Sequence, residues 1–370
     1  MIPKGACLSL LAPLALVVTL AMPVAAAERD IFTVAAVPVD ATAANAAAAR
    51  DQARADGQLR AYQILLGRMT LASDADRLPK PSTAVLNDVI SSFEVAKEKT
   101  SAVRYLANYT FHFNAEAVRR LLRQAGIPFA ETPSKPLLVL ALFSTGARPT
   151  LWEDPNPWRD AWVRSPPPTG LVPLTMPYGD LEDVSAIDAE TAGAGDKDHL
   201  RAIAHRYGDA DVLVTQATLK SDAAPHTLTV TSTRYASTGD QGGQSWQGSF
   251  PATPGESDAD LMARAITATV QQIQDAWKKA NLLDFGKTAT IVVRVPIADL
   301  ASWIAVRDRL TATPAVKRAA LLALDREEAR VSISFYGDPN QLRLALAQRD
   351  LTLDGSDPDW VLERRAADKP

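Results

Sequence analysis

Cysteine is almost absent. Cys7 is the single one in 370 residues, and it precedes the apolar run Leu8 to Met22 instead of ending it, so it cannot be the acceptor of a lipoprotein signal. If that run leaves with a leader, the remaining chain has no thiol, which excludes disulfides, thiolate metal sites and cysteine nucleophiles. Stability must then come from apolar cores, which a chain of this length can build. Histidine is scarce as well: His112, His199, His205 and His226 are the whole set, and the six-residue step from His199 to His205 turns the two to different faces of a helix. No metal site and no cofactor are expected. A basic excess is also missing. With 39 basic and 43 acidic residues the net charge is −4, and no Lys/Arg block stands out, which argues against nucleic acid. No second long apolar run follows Met22, so the mature form is expected not to span a membrane.

The start of the chain is more informative. Lys4, the apolar run and the small residues Ala25-Ala26-Ala27 make the pattern of a secretory signal peptide cut after Ala27. The rival is an uncleaved anchor, because the run with its alanines approaches the ~20 residues that cross a bilayer. Pro13 and Pro23 and the alanine content favour cleavage.

Beyond residue 27 the pattern divides the chain into an α+β unit (28–130), a Pro/Ser/Thr linker (131–136), an α/β unit (137–284), a ferredoxin-like unit (285–358) and a tail (359–370). In the first unit a strand over 31–39 precedes a helix over 43–69 with the stripe Ala55, Leu59, Tyr62, Leu66, Met69. Strands follow near 93–99 and 103–113. In the latter Tyr105, Ala107, Tyr109, Phe111 and Phe113 share one face, and His112 lies on the other. Asn114 caps a further helix that ends at Gly126. Leu137 to Phe143 is a continuous apolar run, as in a strand buried on both faces. Ser257 opens a helix with the stripe Met262, Ile266, Val270, Ile273, Trp277, and the alternating elements predict an α/β sandwich. The last unit reads β-α-β-β-α-β, the split βαβ order, with Asp338, Pro339 and Gln341 starting its second helix. The overall class is therefore α+β / α/β in three small units.

Two partial motifs fail on inspection. Gly286-Lys287-Thr288 resembles the end of a phosphate loop, but Asn281 stands where its first glycine belongs, and the segment enters a strand. Gly243-Gln244-Ser245-Trp246-Gln247 has Gln in place of the second glycine of a nucleophile elbow. The close pairs Asp180/Asp183, Asp209/Asp211 and Asp258/Asp260 lack a calcium loop's pattern and read as caps, turns and solvated faces.

One segment stands apart. Leu151 to Trp162 holds three of the seven tryptophans, and Asn156 with Pro157 makes a helix start that places Trp158 and Trp162 on one face. Large aromatics mostly serve cores, and these could plug the end of the second sheet. They could also form an anchor patch, Trp152, Trp158 and Trp162, with polar contacts from Arg159, Glu153, Asp154 and Asp160. The same carboxylates beside aromatics would suit hydrolysis of an envelope polymer.

The strings LWEDPNPWRDAW, LVPLTMPYGDLEDV, RYGDADVLV and YGDPNQLRLALAQRDLTL resemble an exported family of Gram-negative bacteria known as domain of unknown function 2066, over about Ile31 to Trp360. That resemblance implies a periplasmic location and carries no activity. More loosely, the strand-helix-strand order of 137–219 resembles the amino-terminal domains of periplasmic accessory proteins. The expectation is a periplasmic, non-enzymatic accessory or binding protein with an envelope protein or polymer as partner.

Overall fold

Small side chains decide how the first helix meets its sheet. The computed structural model describes residues 30–146, 148–166, 169–220, 225–237, 243–283 and 287–364, so the leader assigned to 1–27, Gly286 and the last six residues lie outside the described residues. Strand β1 (Thr33–Thr42) leads to α1 (Ala46–Met69), capped by Asn45, whose side chain accepts from the Ala48 N–H at 2.9 Å. The buried face of α1 is Ala49, Ala53, Gly57, Ala61 and Leu65, with Tyr62, Leu66 and Met69 beside it. Ala55 and Leu59 of the expected stripe are exposed, and the physical reason is close approach. A Cβ on Gly57 would sit 3.0 Å from Val39 Cγ1, so the bulk filling this contact comes from the sheet.

After α2 (Thr83–Val89), β2 (Ile90–Thr100) and β3 (Arg104–Phe113) complete an antiparallel sheet in the order β1-β3-β2. The period-two reading of β3 holds: Tyr105, Ala107, Tyr109, Phe111 and Phe113 are all buried, and His112 is half-exposed, 3.0 Å from Thr33 Oγ1. Asn114 caps α3 (Ala115–Gln124) by accepting from the Ala117 N–H at 3.1 Å.

Residues 131–136 connect the first sheet to the second, but not as a solvated spacer. Glu131 and Thr132 are each 1% exposed. Arg119 of α3 clamps the Glu131 carboxylate through Nε and Nη2, the latter at 2.7 Å, so the connector is packed because its acceptors are in use.

The second sheet is built on β4 (Leu137–Ser144), buried along its whole length. Leu137, Val139, Ala141 and Phe143 face one layer, and Leu138, Leu140 and Leu142 face the other. The order is β5-β4-β6-β7-β8, from β5 (Leu174–Thr175), β6 (Asp211–Lys220), β7 (Thr227–Tyr235) and β8 (Gln244–Pro251). Strands β5 and β6 pair parallel with β4, and the β6–β7 and β7–β8 pairings are antiparallel. One face is covered by α4 (Pro157–Arg164) and α8 (Asp258–Ala280). The other is covered by α6 (Ala189–Ala194) and α7 (Lys197–Arg206), with α5 (Leu181–Ala186) packed on α7. This is the expected α/β sandwich.

The third sheet follows the predicted order from β9 (Thr288–Pro296), α9 (Leu300–Thr311), β10 (Val316–Leu324) and β11 (Glu328–Tyr336) through α10 (Pro339–Ala347) to β12 (Leu351–Ser356). Asp338 and Gln341 form the capping box at α10. The supposed tail corrects the rest of the reading. Residues Asp359–Arg364 form β13, which turns back antiparallel from β12 and inserts parallel to β9, giving the order β10-β11-β9-β13-β12. Trp360 and Leu362 are buried, and this alternating pair is what drives the last residues into the sheet.

Candidate functional site

Helix α4 begins as its sequence dictates. The buried Asn156 accepts from the Arg159 N–H at 2.9 Å, and its amide donates to the carbonyls of Ala141 at 2.9 Å and Leu151 at 3.2 Å. The helix is thereby fixed to β4, with Pro157 at its first position. Trp158 and Trp162 fall on one face and meet edge to face, centroids 5.9 Å apart at 84°. That face is turned inward. Trp158 is 0% and Trp162 5% exposed, packed in the core shared with α8, and Trp158 Nε1 donates to the Thr215 carbonyl at 3.2 Å. These two indoles are core residues, not surface anchors, because the i, i+4 face of α4 is the one laid on the sheet.

Trp152 is half-buried, donating to the Ile187 carbonyl at 2.7 Å, and the Arg159 guanidinium lies 5.8 Å from the Trp152 ring centroid. The acidic residues of the segment do not form a catalytic pair. Glu153 folds back to accept from the N–H groups of Leu151 at 3.1 Å and Trp152 at 3.2 Å. Bonds from its own N–H and that of Leu151 hold its carboxyl below the usual range, the wrong direction for a general acid. Asp154 and Asp160 are exposed.

The structure joins Trp152 and Arg159 to a neighbour that sequence reasoning passed over. Gly179, at φ +72°, lies so close that a Cβ there would stand 2.6 Å from Arg159 Nη2 and 3.5 Å from the Trp152 ring. On either side of it, Tyr178 is 82% and Leu181 81% exposed, with Val184 also exposed. This ledge is held from below by Asp183, which is wholly buried. Its carboxylate accepts from the Gly179 N–H at 2.8 Å, the Tyr207 hydroxyl at 2.7 Å and Arg206 Nη1 at 2.6 Å. Asp180 caps α5 and takes a second bond from Arg206 at 3.0 Å, which holds its carboxyl below the usual range. The Tyr207 hydroxyl in turn accepts from the Tyr178 N–H at 2.9 Å, and burial pushes its pKa up to about 12. Reading Asp180 and Asp183 as a cap and a turn was correct for Asp180. The apolar display they support left no periodic signal in the sequence.

The histidines each meet a single carboxylate: His199 with Asp196 at 2.8 Å, His205 with Asp209 at 3.1 Å, His226 with Asp258 at 2.9 Å and His112 with Glu94 at 3.3 Å. Among the described residues no group of three His, Cys, Asp or Glu is placed to hold a metal ion, and no helix is long and apolar enough to cross a membrane.

Neither the protein-family models nor the curated proteins give a match to this chain. Among solved structures the chain is similar to lipoprotein GNA1162 from Neisseria meningitidis, at 19% identity and a TM-score of 0.26, over 38% of this chain and 96% of that one.

Proposed function

We propose that this chain is an exported, periplasmic accessory protein without catalytic activity, and that it holds a protein partner of the cell envelope on the ledge of Tyr178, Leu181 and Val184. The observation that carries the reading is the pairing of display and support. Two large apolar side chains stand more than four-fifths exposed, on a turn whose buried carboxylate is bonded to Gly179, Arg206 and Tyr207. Because the backbone at Tyr178 and Gly179 is already held, a partner covering this ledge has only side chains to order, which is how a few residues come to dominate an interface. Kinship with the proteins of domain of unknown function 2066 belongs to the same proposal and rests on the strings quoted above. The rival reading, a hydrolase using the carboxylates of 152–162, has no observation in its favour.

The test is cross-linking in cells followed by mass spectrometry, comparing wild type with the double substitution Tyr178→Ser/Leu181→Ser. Both side chains lie in solvent, so each change is expected to alter stability by no more than about 0.5 kcal/mol. Wild type should capture a defined envelope protein that the variant loses. Equal capture by both, or none by wild type, refutes the proposal.

A further inference from the structure

A cleft of about 520 Å³ opens between α1 and α8, bounded at one side by Ser165, Pro166, Thr169 and Gly170. Its size falls in the range of small-ligand sites. It lies apart from the ledge, and no residue of Leu151 to Trp162 lines it.

The deep polar groups of the cleft are already committed. Gln274, buried, clamps both backbone groups of Val172, donating to its carbonyl at 2.8 Å and accepting from its N–H at 3.1 Å. Gly170 is required here, since a Cβ would collide with the Gln274 amide at 2.1 Å. The Lys278 ammonium, 2% exposed, donates to the carbonyls of Gly67 at 3.1 Å and Thr70 at 2.5 Å and pairs with Asp275 at 2.9 Å. Those three partners take up all three of its protons. Arg68 is bonded to the carbonyls of Ile31, Thr33 and Thr169.

What offers hydrogen bonds to an incoming molecule is amide, while Arg68, bonded to carbonyls that do not cancel its charge, keeps a positive group in the wall. Gln63 on α1 and Gln271 on α8 are exposed on opposite walls, and Gln271 spends its NH₂ on Asp275 at 2.9 Å, leaving its oxygen as an acceptor. Between them lie the aliphatic side chains of Ile64, Ile266 and Val270. A glutamine amide offers the same donor and acceptor as a peptide group. The apolar strip has no aromatic face for a sugar ring to stack on but receives a branched aliphatic side chain. We infer that this cleft binds a short peptide segment without basic side chains, its backbone met by Gln63 and Gln271 and one aliphatic side chain seated on Ile64, Ile266 and Val270.

The experiment titrates the purified full chain with N-acetyl-Ala-Val-Ala-amide and follows amide resonances by ¹⁵N–¹H NMR. The expected result is a saturable shift confined to α1, α8 and the residues near Gly170. N-acetyl-Ala-Lys-Ala-amide should bind at least tenfold more weakly, and Val270→Trp, which fills the cleft, should abolish the shifts. If Val270→Trp does not fold, Gln63→Ala, at an exposed position, serves instead and should weaken binding at least threefold. Absence of a saturable shift overturns the inference. So does equal binding of the lysine peptide, shifts that map elsewhere or survive the substitution, or equal binding of a neutral trisaccharide at the same residues.

Discussion

Replacing Trp158 by alanine separates a core tryptophan from a docking one. The side chain is fully buried, and burying the 150–250 Å² of an aromatic at about 25 cal/mol per Å² corresponds to about 4–6 kcal/mol. Incomplete collapse of the cavity, together with the compact nature of denatured chains, brings the expected loss to about 3–5 kcal/mol. Trp158→Phe keeps most of the area and an edge-to-face partner in Trp162, and it gives up the bond to the Thr215 carbonyl. Its expected cost is about 1–2 kcal/mol. Trp152→Ala, at a half-buried position, is expected to cost less than Trp158→Ala, about 1–2 kcal/mol. Urea unfolding monitored by far-UV circular dichroism gives all three values. Since whole domains are stable by only about 5–15 kcal/mol, the alanine variant should show an obvious fall in midpoint. A loss below about 1 kcal/mol for Trp158→Ala, or a larger one for Trp152→Ala, would refute the assignment of α4 to the core.

Two further outcomes follow from the structure. A chain stopped after Pro358 loses β13, including the buried Trp360 and Leu362, and separates β12 from its one strand neighbour among the described residues; the loss should exceed about 5 kcal/mol, and hydrogen exchange at Val293 and Val331 should lose its protection, whereas unchanged protection would show that the third sheet closes without its last strand. Glu256 accepts from Arg264 Nε at 2.9 Å and from the Thr253 N–H at 2.8 Å, and these bonds, Arg264 first, hold its pKa down to about 2. Because the folded value is depressed, its contribution to stability is present above the ordinary value near 4.5 and is lost as pH falls toward 2. The carboxyl carbon should titrate near 2 by NMR and move back up in Arg264→Ala; a midpoint unchanged by that substitution would contradict the assignment.

Much of this architecture was legible because it is local. The alternation in 104–113, the unbroken apolar run from Leu137 and the caps at Asn114, Asn156 and Asp338 are all governed by neighbours within four residues, and all recur in the structure. The face of α1 was half read: Tyr62, Leu66 and Met69 are buried as expected, but Ala55 and Leu59 are exposed, because the earlier turns meet the sheet through Ala49, Ala53 and Gly57 against bulky strand residues. Strand β13 was missed because its place depends on pairing with Val293, far back in the chain. For the candidate site, the sequence singled out the right helix start, and of its two readings of the tryptophans the core one holds for Trp158 and Trp162. The ledge and the cleft were invisible for a related reason. The ledge depends on what fails to cover Tyr178 and Leu181, and the cleft joins Gln63 to Gln271, some two hundred residues apart.

The end of α8 acts as a junction box. Lys278 is wired to the carbonyls that end α1, the Trp277 indole donates to Thr132 in the connector at 2.7 Å, and Leu283 pairs with Phe129 just beyond. The neighbouring Leu282 carbonyl takes a bond from Gln341 of α10 at 3.0 Å, and the Lys135 N–H reaches Gln348 at 3.0 Å. Three sheets that look like separable modules in the sequence thus share one set of contacts. Excising or transplanting any one of them would sever hydrogen bonds at this junction, so the three are expected to be inherited and engineered as a whole.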